Sequence, residues 1–284
     1  MMPLPQKTVC VEIGGIPISL ATTDEHFFKL LIERYGGFRS STPAEFELEF
    51  EIVEALVVSD NDVRVRREGP AWRIQRGDLE ARWNPRTGTG LVRQNANPYS
   101  LDSVLRIVHS LILAERGGFL LHSASGICDG RAYLFSGVSG AGKTTMTRLA
   151  PQDVTLLSDE ISYIRPCNTE SSHARKDSAA YQAFGTPFAG ELAKAGENTK
   201  ANISALFFLE QGPENRIEEL PPTEAVRRLM RNILFFAEDP MLTEKLLASA
   251  CDFVAHVPVR RLTFYPDSKV WEEVRNFDGV PAHV

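Results

Sequence analysis

The stretch Gly137-Val-Ser-Gly-Ala-Gly-Lys143-Thr144-Thr145 follows the apolar run Arg131 to Ser136 and allows few local designs. A strand must turn abruptly into a helix there, around something anionic. Closely spaced glycines let the backbone curl without Cβ clashes, and the curl aims amide N–H groups into a concavity that suits phosphate. The spacing is the full GxxxxGK[ST] pattern, in which the lysine reaches the β- and γ-phosphates and the next hydroxyl can ligate Mg²⁺. Gly137, Ser139, Gly140, Ala141, Gly142, Lys143, Thr144 and Thr145 are therefore the expected ATP-binding residues, with Mg²⁺ on Thr144. A helix is expected from Thr145 to Ala150.

Phosphate-loop sites add a carboxylate that holds or orients Mg²⁺, commonly at the end of an apolar strand beside the loop. Val154-Thr-Leu-Leu157 is such a strand and ends in Ser158-Asp159-Glu160, with Ile161 to Ile164 extending it. Asp159 lies sixteen residues beyond Lys143, room for one short helix and one strand. Asp159 fits that place, and Glu160 beside it makes an acidic pair in which one carboxylate can serve the metal and the other proton transfer. Farther on, Thr186 and Glu191 flank Pro187 in a loop that can close on substrate or metal, and Arg165 follows the acidic strand where a guanidinium can hold phosphate or acceptor.

The rest of the chain divides near Asn95 to Ser100, a polar segment containing Pro98. Residues 1–98 read as a smaller β-rich domain. Thr8 to Leu20 is a strand, turn and strand; Asp24 to Tyr35 is a helix capped by Thr23 or Asp24; Phe46 to Ile52 alternates with period two, as an edge-capable antiparallel strand does. Short strands follow around Val63 to Arg67, Ala71 to Arg76, Leu79 to Trp83 and Thr89 to Arg93. Residues 99–284 read as the nucleotide-binding catalytic domain. It opens with a helix from Leu101 to Arg116 and a hairpin of Phe119 to Ile127 with Ala132 to Ser136, turned at Asp129-Gly130. A strand at Ala201 to Glu210, helices at Thr223 to Phe236 and Leu242 to His256, and a strand at Arg261 to Phe264 complete it. The polar segment Cys167 to Ala180 lacks periodicity and reads as mobile. The class is α/β in the broad sense, α+β in detail, with a mixed sheet.

A net charge of −6 opposes general binding to nucleic acid or acidic membrane, both of which require a basic field. Arg227, Arg228 and Arg231 form a local basic cluster that reads as a solvated helix face. Four separated cysteines without a CxxC pair fit reduced thiols. The start of the sequence has no basic region before an apolar core, and its apolar runs are shorter than the roughly 20 residues that span a bilayer, so the expected compartment is the cytoplasm. A homo-oligomer is compatible with the sequence.

Leu121-His-Ser-Ala-Ser-Gly126, the loop segment Leu134 to Thr145 and Leu157-Ser-Asp-Glu160 together resemble the catalytic domain of the HPr serine kinase/phosphorylase family over about residues 118 to 210. Gly185 to Glu191 and Ile203 to Glu210 are similar to segments of an HPr-kinase-related group. The resemblance implies a P-loop kinase domain like the nucleotide domain of phosphoenolpyruvate carboxykinases. It also implies ATP-dependent phosphorylation of a serine hydroxyl in a protein or peptide, or of a small hydroxylated molecule. Asp159 would then act near the attacking hydroxyl, with Glu160 supporting the metal and His122 tuning the acidic pair. A nucleotide-dependent binding or regulatory module without phosphoryl transfer needs the same loop and stays open as the alternative.

Overall fold

The computed structural model describes residues 5–54, 62–167 and 181–277. The segment read as mobile lies outside them except for Cys167. Contacts group the chain into two units, Met1–Ile112 with Phe235–Leu242, and Leu113–Leu234 with Thr243–Val284. The cut between the units falls between Ile112 and Leu113, inside the helix that begins at Pro98.

The first unit is a seven-stranded sheet with the order β1-β2-β3-β7-β6-β5-β4. β1 (Lys7–Ile13) and β2 (Ile16–Thr22) form a hairpin, and α1 (Glu25–Tyr35) lies against it. Asp24 caps α1 by accepting the Phe27 N–H at 2.7 Å, satisfying one of the orphan amides of the first turn. Phe27, Leu31 and Tyr35 form its buried face. β3 (Phe46–Ile52) corrects the expected antiparallel edge: it is interior and runs parallel to β2 and to β7. Its period-two pattern is present, with Phe46, Leu48 and Phe50 buried and the glutamates exposed. Alternation fixes which face is buried, and is silent about neighbours and their direction. β4 (Arg64–Glu68), β5 (Ala71–Arg76), β6 (Leu79–Asn84) and β7 (Thr89–Gln94) complete an antiparallel meander. α2 (Pro98–Glu115) brings Asp102 to a buried position, where it accepts hydrogen bonds from Arg34 Nε at 2.8 Å and the Tyr35 hydroxyl at 2.6 Å. Burial and the neighbouring carboxylate hold the Tyr35 phenol well above its usual range.

The second unit is built on one long strand, β8 (Phe119–Cys128), which turns at Asp129-Gly130 into β9 (Arg131–Ser136). α3 (Lys143–Arg148) follows the phosphate loop and begins two residues earlier than the expected helix. β10 (Thr155–Ser158) pairs with the second half of β8, and β11 (Ile161–Pro166) with its first half. The expected single extended strand is therefore two strands with a corner at Asp159-Glu160. β12 (Tyr181–Phe184) and β13 (Lys200–Gln211) continue from β11, and β13 runs parallel to β9. That last pairing closes β8, β11, β12, β13 and β9 into a five-stranded barrel. Phe135, Phe207 and Ala205 bury its outer wall with Met146, Trp271 and Val274. α4 (Pro222–Asn232) stops where β15 (Ile233–Leu234), which follows β14 (Arg216–Glu219), pairs with β8. α5 (Pro240–His256), β16 (Val259–Phe264) and α6 (Val270–Arg275) end the described chain, with β16 parallel to β13 and antiparallel to β14. The architecture is mixed α/β, and among the described residues no helix is long and apolar enough to cross a membrane.

The connection from β12 to β13 runs tightly against the barrel. Gly185 N–H donates to Thr199 O, and a Cβ at Gly185 would lie 1.7 Å from the Glu197 carbonyl oxygen. Backbone rather than a flexible side chain blocks it. Gly185→Ala is expected to lower stability by about 3 kcal/mol, the upper range for overpacking, as read by urea denaturation. A loss below about 1 kcal/mol would show that this backbone gives way.

Candidate phosphate-binding site

β9 ends at Ser136, whose hydroxyl donates to the His122 carbonyl at 2.8 Å and ties the loop entrance to β8. The loop then curls on itself. Ala141 N–H donates to Val138 O, and the Gln211 amide from the end of β13 donates to Gly140 O at 2.8 Å. Gly142 has φ +110°, and a Cβ there would meet the Phe264 ring at 2.4 Å, so only glycine fits this corner. Lys143 is 9% exposed and its Nζ donates to the carbonyls of Gly137 at 2.9 Å and Val138 at 3.2 Å. An ammonium has three N–H donors, so one is left for a ligand. Burial lowers the Lys143 pKa, and Glu191 and Glu160 oppose the shift.

The acidic corner is shaped by Ser158. Its hydroxyl accepts the N–H groups of Glu160 at 3.2 Å and Ile161 at 2.8 Å, a side-chain turn that breaks β10 from β11. The corner faces the middle of β8, where Ser123 N–H donates to Glu160 O. Asp159 is 5% exposed, and its two oxygens accept the N–H groups of Gly190 at 2.8 Å and Leu192 at 3.1 Å. Those bonds hold Glu191 over the phosphate loop, where the Thr144 hydroxyl donates to Glu191 Oε2 at 3.0 Å.

These residues enclose a cavity of about 380 Å³. Ser139, Gly140, Gly142, Lys143, Thr144 and Thr145 line one side, and His122, Asp159, Glu160 and Glu191 the other. The structure thus gathers most of the residues singled out in the sequence. Ala141 instead packs into the core beside the loop, and Gly137 borders a neighbouring cleft. Thr186 is fully buried and donates to Ile161 O at 3.0 Å, so it braces the barrel. Arg165 lies farther along β11 with its guanidinium over the Phe184 ring. Two lining residues, Arg148 and Gln211, escaped the sequence reading. Arg148 ends the short helix after the loop, a position the motif itself could have flagged. Gln211 carries no sequence signal, because only the barrel brings β13 to the loop.

A second cavity of about 430 Å³ shares Arg148 with this one and is lined by apolar groups including Phe135, Val154, Leu156 and Trp271. A third, of about 640 Å³, shares His122 and Ser139. The phosphate cavity therefore has a neighbour beyond each end of its loop.

Fold and site together define a mixed α/β protein whose barrel carries a cavity lined by a glycine-rich loop and rimmed by carboxylates. The chain belongs to the family of the SynChlorMet cassette protein ScmC, whose pattern matches residues 93–277. This corrects the resemblance to the HPr serine kinase/phosphorylase family, since the matching family is ScmC and not an HPr kinase. The resemblance rested on three short segments around the loop. No curated protein matches the chain.

His122 is half-buried, and burial first, then the Lys143 charge, lowers its pKa below 6.5. The folded state thus prefers the neutral ring. Its contribution to stability is full above the unfolded value near 6.5 and is lost as pH falls through the lower folded value. The His122 C2 proton should titrate below pH 6.5 by NMR, and Lys143→Ala should move the midpoint upward without abolishing the burial effect. A midpoint unmoved by Lys143→Ala would remove the lysine as a cause.

Proposed function

We propose that the chain binds Mg-ATP in the phosphate-loop cavity and transfers the γ-phosphoryl group to a hydroxyl. The observation that carries this reading is the Thr144 to Glu191 hydrogen bond, in a cavity that also holds Lys143, Asp159 and Glu160. Three carboxylates there face the cations Lys143 and Arg148, so a bare triphosphate would meet excess negative charge. Hard oxygen donors of this kind fit Mg²⁺, which is usually held by one or two carboxylates together with substrate phosphates. Thr144, Glu191 and Glu160 would hold the ion, which would neutralise charge on the nucleotide phosphates.

The chain's own groups account for the rest. Loop amides and Lys143 orient the triphosphate and stabilise the charge that builds on the leaving oxygens. As the acceptor oxygen bonds to the γ-phosphorus, the bond from that phosphorus to the bridging oxygen breaks and ADP leaves. The hydroxyl proton passes to Asp159, whose oxygens keep lone pairs beyond those used by Gly190 and Leu192. The apolar cavity beyond Arg148 suits the nucleoside. The acceptor is a serine of a protein or peptide, or a small hydroxylated molecule.

Mg-ATP should bind and raise the melting temperature, since a ligand selective for the folded state stabilises it by mass action. Lys143→Ala should remove most of that shift, and unchanged ATP affinity in this variant by calorimetry would defeat the reading. Glu191→Gln should raise the Mg²⁺ concentration required for half-maximal nucleotide binding, while leaving the fold intact by circular dichroism. An unaltered Mg²⁺ titration would exclude Glu191 as a ligand.

Asp159→Asn should lower transfer by about 10² or more, the range for loss of a general base. It should also speed hydrogen exchange at the Gly190 and Leu192 amides, because an amide side chain cannot accept on both of its heavy atoms. Wild-type transfer together with faster exchange would restrict Asp159 to holding the loop.

A further inference from the structure

The cleft of about 640 Å³ beside the phosphate loop differs from its neighbours in charge. One wall is the loop entrance at Val138 and Ser139, with His122 from β8. The facing wall is α4, which presents Arg227, Arg228 and Arg231. In the sequence these arginines read as a solvated helix face; in the fold they line a cavity. Arg227 and Arg231 stand four residues apart, so they share one helix face.

The two carboxylates lining the cleft are already engaged. Glu224 accepts from Arg227 Nε and from Arg228 Nε, each at 2.8 Å, and Glu210 accepts from Arg228 Nη1 at 2.8 Å. These bonds brace two guanidiniums against α4 and β13. Arg231 is exposed and has no carboxylate partner among the described residues. Three guanidiniums against two carboxylates leave the cleft with a net positive charge in a protein whose overall charge is −6. A guanidinium at a cavity wall whose donors are not taken up by a carboxylate of the protein can bind a planar anion such as a carboxylate through two parallel N–H groups.

We propose that this cleft is the acceptor site, and that its occupant is a hydroxyl compound carrying a carboxylate. Arg231, supported by Arg227, grips the carboxylate at the α4 wall. The hydroxyl then lies toward His122 and Ser139, the two residues the cleft shares with the phosphate cavity. The exposed Val138 side chain gives the rim an apolar contact. The assignment of the occupant as phosphoryl acceptor rests on the kinase reading above; binding of the anion does not. A small hydroxy acid and an acidic serine peptide offer the same carboxylate-plus-hydroxyl chemistry.

The test is calorimetric titration of the full chain, without nucleotide, with L-malate and with a serine heptapeptide flanked by glutamates. Glycerol and the same peptide with glutamines serve as neutral counterparts. At least one acidic probe should bind, its neutral counterpart should not, and raised salt should weaken the binding. The probe that binds identifies the source of the carboxylate. Arg231→Glu should weaken that probe about tenfold or more, the scale of one lost charged hydrogen bond, while Mg-ATP affinity stays unchanged. Arg231→Gln, which removes the charge with less perturbation, should fall between.

Binding by neither acidic probe, equal binding of the neutral counterparts, or unchanged affinity in Arg231→Glu would overturn the proposal. Loss of acidic-probe binding in Arg231→Glu combined with no Mg-ATP binding in the wild type would overturn the kinase reading instead, leaving an anion cleft without a phosphoryl donor.

Discussion

Asp159 carries the heaviest structural demand in the cavity. A buried carboxylate is tolerable only when its oxygens are satisfied, and here two backbone N–H groups do so. The same bonds fix the Gly190 to Leu192 segment, which sets Glu191 against the Thr144 hydroxyl. The solvation requirement of one side chain therefore positions another. Gly190 also lies so close that a Cβ there would approach Glu160 Cβ at 2.8 Å. The loop and the acidic corner are consequently one unit, although thirty-one residues separate Asp159 from Gly190.

That unit depends on how β8 shares its edge. A continuous partner strand would have run past the site without a corner. Instead β10 takes one half and β11 the other, and Ser158 supplies the hydrogen bonds that let the chain turn between them. The corner then falls opposite Ser123, which on its other side pairs with Ser136 at the start of the phosphate loop. The central strand thus brings the acidic corner and the loop to the same level of the barrel, with His122 between them.

Much of this was legible in the sequence where the determining interactions are local. The glycine-rich loop, the Asp129-Gly130 turn, the cap at Asp24 and the alternating faces of β1 and β3 each depend on a few adjacent residues. What depends on distant partners was not legible. Phe46 to Ile52 shows the same alternation whether its neighbours are parallel or antiparallel, so its interior place was hidden. Thr186 looked like a loop hydroxyl free for ligand, but it is consumed by the Ile161 carbonyl. The arginines of α4 form a solvated face as read, with Arg227 and Arg231 exposed, but a helix sequence does not reveal which cavity that face borders.

The mistaken family resemblance has the same origin. A glycine-rich turn, a lysine, a following hydroxyl and a nearby acidic pair recur wherever phosphate and Mg²⁺ are bound, so agreement at these few positions does not by itself carry kinship. The family match extends over a far longer span than those positions. The ScmC pattern spans residues 93–277 and so covers the end of β7, α2, the whole barrel and the arginine-bearing α4. The cleft beside the loop is lined entirely by residues within that match, so the arginine-bearing wall and the loop entrance belong to one continuous stretch of the family pattern.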